Sequence, residues 1–126
     1  MKERLYVNNK IEVKLSLVHG YGVFAKEQIE KNEILEECLF VIQPQKNIYN
    51  IDYTYRFPKS GPLKYNALVL GNGSVYNSSK TLEGRNATWD IDAHHNIFIF
   101  QSTRTIAKDE EIFTYYGDPW WQTRKT

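Results

Sequence analysis

Residues 11–25 read IEVKLSLVHGYGVFA. Ile11, Val13, Leu15 and Leu17 recur at a spacing of two, the period of a strand with one face turned inward. The run then meets Gly20-Tyr21-Gly22, where glycine admits backbone angles that other residues resist. Val23 to Ala25 resumes the strand character. The rest of the chain repeats this grammar of short extended runs and polar breaks. Glu30-Lys31-Asn32-Glu33 is a turn, and Ile34 to Ile42 reads as one long apolar strand. Gln43 to Asn50 reads as loop, IDYTYRF as strand or short turn, and Pro58 with Ser60-Gly61-Pro62 breaks the chain. Residues 65–71 suit either a short helix or a buried strand. Asn72 to Asn86, rich in Gly, Ser and Asn, reads as loop. Asn96 to Ile106 is a strong strand, with Glu110 to Tyr116 as its expected hairpin partner across a turn at Ala107 to Asp109. The expected class is mostly β with little helix. Loops this long are uncommon in compact domains unless they serve a function.

With 126 residues the chain suits one domain, 1–126, able to bury a core without staples. Sixteen basic against fifteen acidic residues leave a net charge of +1, so no direct nucleic-acid or membrane binding is expected. No apolar run reaches membrane-spanning length, and MKERLYVNNK lacks the apolar middle of a signal peptide. The expected location is soluble and intracellular. Without secretion, the glycosylation patterns at Asn72, Asn77 and Asn86 carry no meaning as such.

The lone Cys38 excludes an internal disulfide and reads as a buried, inert thiol. His94 and His95 are adjacent; on a strand they face opposite ways and do not share a metal, so no metal is expected. Strand alternation likewise splits Glu36-Glu37 and Glu110-Glu111, which read as solvated edges. Phosphate-loop and dinucleotide glycine patterns are missing. What remains is glycine, asparagine and tyrosine, including Tyr115-Tyr116 at a strand end.

Four blocks in order resemble the SET-domain family of lysine methyltransferases: HGYGVFAKEQIEKNEILEE (19–37), LGNGSVYNSS (70–79), Asn86-Ala87, and RTIAKDEEIFTYYGD (104–118). The resemblance covers about Ile11 to Trp121, and the compact form looks most like the small virus-encoded members. It implies small curved sheets closed by a C-terminal pseudoknot in which Asn77 meets the segment leading to Tyr116. No cysteine cluster follows Gly117, so no post-SET zinc module is implied.

By the same resemblance the cofactor is S-adenosylmethionine. Gly20, Tyr21 and Gly22 approach its methionine part, Asn77 bonds its amino-acid end, the backbone at Ser78 meets the adenine, and Trp121, with Trp120 as second choice, packs on that ring. Tyr116, Tyr21 and Tyr53 line the methyl channel, with Tyr55 an alternative to Tyr53. The implied partners are a lysine-bearing protein, with a histone tail first, and a second copy of the chain in a homodimer. A viral, histone-directed member would act in the host nucleus.

Three positions depart from the family pattern: Ser78 replaces its histidine, Arg85 its proline and Asp109 its turn glycine. They motivate an alternative, a SET-like binding or structural module impaired in catalysis.

Overall fold

The alternating run forms β1 (Ile11–Leu15), and the chain turns back into β2 (Tyr21–Ala25). The pair is antiparallel, with Ile11 opposite Ala25 and Leu15 opposite Tyr21. The loop closes where Ser16 N donates to Gly20 O at 2.7 Å, with Gly20 in the left-handed region at φ 48°. The shared face is buried at Ile11 and Ala25 but opens toward the turn, where Leu15 and Tyr21 are exposed.

The structure is a computed structural model that describes residues 4–44, 54–57 and 65–115. After β2 come β3 (Ile34–Cys38), β4 (Phe40–Pro44), β5 (Thr54–Phe57), β6 (Tyr65–Val69), β7 (Asn77–Ser78), β8 (Ala87–Asp92), β9 (Ile97–Ser102) and β10 (Glu111–Thr114). They build three sheets, ordered β1-β2-β10-β7, β3-β9-β8 and β4-β6-β5. The described residues contain no helix, which resolves residues 65–71 in favour of strand.

Three local expectations are corrected. The single strand expected over Ile34 to Ile42 breaks at the exposed Leu39. β3 pairs with β9, whereas β4 pairs with β6, and Leu39 O takes the amide of Leu70 at the corner. The sequence ILEECLFVI has no glycine or proline to mark such a change of sheet.

The expected hairpin between Asn96–Ile106 and Glu110–Tyr116 does not form. β9 is flanked by β3 and β8, so both its edges are taken. The chain leaves that sheet, bridges Ile106 to Ile29, and turns through Asp109 at φ 70°. Asp109 N then donates to Ala25 O, and Ala25 N to Glu110 O, which sets β10 against β2. Asp109 thus occupies a conformation that glycine adopts most readily.

The Glu36-Glu37 pair is not a solvated edge throughout. A bulge between Ile34 and Glu36 turns both Leu35 and Glu36 inward, and Glu36 is only 2% exposed. Its carboxyl group accepts Tyr76 Oη at 2.9 Å and the Asn72 amide at 2.9 Å. Burial first, and Glu36 second, push the Tyr76 hydroxyl and the Cys38 thiol well above their ordinary pKa values. Cys38 is therefore a core thiol, as expected.

This cluster anchors the turn that precedes Asn77, and Tyr76 also stacks on Phe100 with ring centroids 4.5 Å apart. Tyr55, Trp89 and Phe98 extend the aromatic core. Tyr76→Phe keeps the stacking surface but strands a buried acceptor. The expected loss is about 1–3 kcal/mol of stability, read as a lower denaturant midpoint at unchanged slope.

Candidate active site

The site begins where three distant segments converge on β10. Ile112 lies opposite Val23 of β2 on one edge. On the other edge β7 runs parallel, with Phe113 opposite Asn77 and Thr114 opposite Ser78. Ser79 N continues the contact to Thr114 O at 2.9 Å. A two-residue strand inside a loop of Gly, Ser and Asn offers too few positions for any periodicity, and the expected loop over 72–86 contains a strand here.

Asn86 locks this crossing from below. Its backbone N–H donates to Phe113 O, its Oδ1 accepts Phe113 N at 2.7 Å, and its Nδ2 donates to Glu111 O at 2.9 Å. The fully buried carboxamide thereby acts as an extra length of strand partner. Asn86 stands in one of the family-like blocks, yet its bracing role appears only in three dimensions.

Asn77 is 6% exposed. Its Nδ2 donates to Glu111 Oε2 at 2.8 Å, His19 O at 3.1 Å and Tyr21 O at 3.3 Å. Its Oδ1 makes no hydrogen bond among the described residues. The two glycines beside it have different reasons. At Gly20 an added Cβ would meet nothing within 4 Å, and the requirement is the positive φ. At Gly22 an added Cβ would overlap Glu111 Oε2 and come within 3.0 Å of Asn77 Nδ2.

The solvated pair expected at Glu110-Glu111 is corrected at Glu111, which is held by Ser16 and Asn77. Glu111 Oε1 accepts Ser16 Oγ at 2.7 Å, while its neighbour Glu110 turns to Arg104 and to the Ala107 amide. Glu111 and Ser16 were missed because their meeting spans 95 residues and neither type is distinctive alone.

Of the residues named from sequence, Gly20, Tyr21, Gly22, Asn77 and Ser78 come together here. Tyr21 is 62% exposed. Ser78 is buried and donates its hydroxyl to Ser79 O at 2.8 Å, so the crossing closes through backbone pairing with serine in place of an imidazole. Tyr53, Tyr116 and Trp121 lie outside the described residues. Tyr55 is a core residue, its hydroxyl donated to Gly73 O at 2.8 Å and its ring against Trp89 and Phe98. His94 and His95 occupy the β8–β9 turn. There His95 Nδ1 lies 2.8 Å from Asp92 Oδ2, which helps hold Asp92 below the usual carboxylate range. Among the described residues no group of three or more His, Cys, Asp or Glu is placed to hold a metal ion.

The family model described as SET domain matches residues 20–117. The chain belongs to the SET-domain family.

Its fold agrees. A solved Plasmodium falciparum protein, described as a candidate histone methyltransferase, matches this SET domain with a TM-score of 0.72 and 35% identity, over 91% of this chain and 99% of that one. The methyltransferase domain of human PR domain-containing protein 2 matches with a TM-score of 0.68 over 89% of this chain and 80% of that one; at 15% identity it shows the shared fold alone. A curated relative from Schizosaccharomyces pombe, a histone-lysine N-methyltransferase specific for H3 lysine-37, is 26% identical over 122 residues, 91% of this chain and 78% of the relative. Family and relatives together support a lysine methyltransferase. No helix among the described residues is long and apolar enough to cross a membrane.

Proposed function

We propose that this SET domain is an S-adenosylmethionine-dependent protein-lysine N-methyltransferase acting on histone tails. The observation that carries the reading is the convergence of Gly20–Gly22, Asn77 and β10, the strand that leads to Tyr116. The residues suit the amino-acid end of such a cofactor. Asn77 Oδ1 is unengaged among the described residues, Gly22 is hemmed in by polar atoms, and the space beside Gly20 is open.

When bound, S-adenosylmethionine supplies a methyl group already activated by its sulfonium charge. The chain has to align the reacting atoms and keep water out, which can supply much of the rate enhancement. In this reading Gly20, Tyr21 and Gly22 bring backbone close to the methionine part, and Asn77 orients it. The Ser78 backbone receives the adenine, with Trp121 against the ring. Tyr116, Tyr21 and Tyr53 wall the channel that accepts the lysine side chain. A free lysine has a pKa of about 10.4, and a narrow apolar channel disfavours its charged form. Aromatic faces beside the channel attract the sulfonium cation. No carboxylate dyad or histidine base is required.

The alternative, a module without catalysis, draws on the altered loop at Arg85 and on Ser78. Backbone pairing of Asn77–Ser78 with Phe113–Thr114 weakens that argument, because the crossing does not depend on a ring at position 78.

Thermal unfolding with and without S-adenosylmethionine tests the cofactor. At a hundred times its dissociation constant the ligand should stabilise the fold by about 2.7 kcal/mol. Incubation with histone H3 peptides should then add methyl masses to lysine, and Tyr116→Phe should lower that transfer at least tenfold. Transfer at the parental rate in Tyr116→Phe would remove Tyr116 from the channel. A cooperatively folded protein with no thermal shift at millimolar cofactor would favour the non-catalytic module.

A further inference from the structure

Asn77 Nδ2 carries two hydrogens but faces three acceptors: Glu111 Oε2, His19 O and Tyr21 O. One of the three bears a carboxylate's charge. No Lys or Arg among the described residues pairs with Glu111, whereas Glu33 and Glu110 have Lys10 and Arg104. The carboxylate is nevertheless held in place. Ser16 Oγ fixes Oε1 at 2.7 Å, and that same hydroxyl accepts the Val18 amide at 3.0 Å. Oε2 lies against Gly22, where no Cβ intervenes. The turn therefore presents a fixed negative charge and two carbonyl oxygens, with too few donors among the described residues to serve them. A buried or half-buried carboxylate ordinarily finds a cation or several donors.

We propose that Glu111 is the counter-charge for the α-ammonium group of the methyl donor, an inference that rests on the proposed cofactor reading. An ammonium brings three N–H donors and a positive charge to a rosette short of both. Asn77 then orients the amino-acid end while Glu111 supplies most of the selectivity for the charged amine. Ser16 positions Glu111 and does not touch the ligand.

Calorimetric titration with two ligands tests this. One is S-adenosylhomocysteine, which keeps the α-ammonium; the other is 5′-S-(3-carboxypropyl)-5′-thioadenosine, the same molecule with hydrogen in place of the amino group. The parent protein should bind the first about ten- to a hundredfold more tightly, the range expected of a hydrogen bond to a charged group. Glu111→Gln should weaken S-adenosylhomocysteine by a similar factor and leave the desamino ligand within about twofold, erasing the preference. Ser16→Ala should weaken only S-adenosylhomocysteine, severalfold.

Equal weakening of both ligands by Glu111→Gln would make Glu111 a brace and overturn the proposal. So would a parent protein that binds both ligands equally well, a result that needs no variant to fold. If the parent binds neither ligand, the cofactor reading itself falls and this inference with it.

Discussion

Gly22→Ala is expected to leave the SET domain folded and to weaken S-adenosylhomocysteine binding by a hundredfold or more. Gly22 sits within β2, opposite Lys14, and is not among the glycines with positive φ. Alanine is therefore acceptable to the backbone, and glycine within a strand costs about 0.5–1 kcal/mol relative to alanine. The new methyl group overlaps Glu111 Oε2 and crowds Asn77 Nδ2. Both atoms are ends of side chains, so they can swing away without moving the strands. Doing so breaks the Ser16–Glu111 and Asn77–Glu111 hydrogen bonds and dismantles the polar rosette at the glycine turn. Losing one charge-assisted contact and one neutral contact to a ligand amounts to roughly 3 kcal/mol, about a hundredfold in affinity. Thermal unfolding without ligand should change by no more than a few degrees, while calorimetry should register the loss. Binding within threefold of the parent would separate Gly22 from the cofactor site.

The difference between what was legible and what was not follows the range of the interaction. Period-two patterning and Gly20-Tyr21-Gly22 announced the β1–β2 pair because strand and turn signals lie within 15 residues of chain. The resemblance named Asn77 and the strand before Tyr116, and those segments do meet. Sequence pairing of neighbours gave the wrong partner for β10, because the choice lay with Ala25 and Asn77, far away in sequence. Glu36 and Glu111 looked like ordinary surface acids. Only a bulge turned the first inward, and only a contact with Ser16 gave the second a fixed position. A carboxylate's role depends on what surrounds it, and those surroundings are assembled by tertiary structure.

Asn86→Ala should produce the opposite signature to Gly22→Ala, a loss of stability first. The Asn86 side chain is fully buried and satisfies two backbone groups of β10 at once, the Phe113 N–H and the Glu111 C=O. Alanine leaves both facing a small void. Each buried, unsatisfied group costs about 1–3 kcal/mol, so a total near 3 kcal/mol is expected. For a domain of this size that corresponds to a midpoint roughly 10 °C lower. Glu110, whose Oε2 lies 3.5 Å from Asn86 Nδ2, also pairs with Arg104 and accepts the Ala107 amide, and a carboxylate has no proton to give the Glu111 C=O. Loss of the brace also loosens the strand that carries Glu111, and cofactor affinity should fall in step with stability. A fall in affinity with the midpoint unchanged would mean that Asn86 acts on the ligand directly. A fall in both would identify it as the post on which the site is hung.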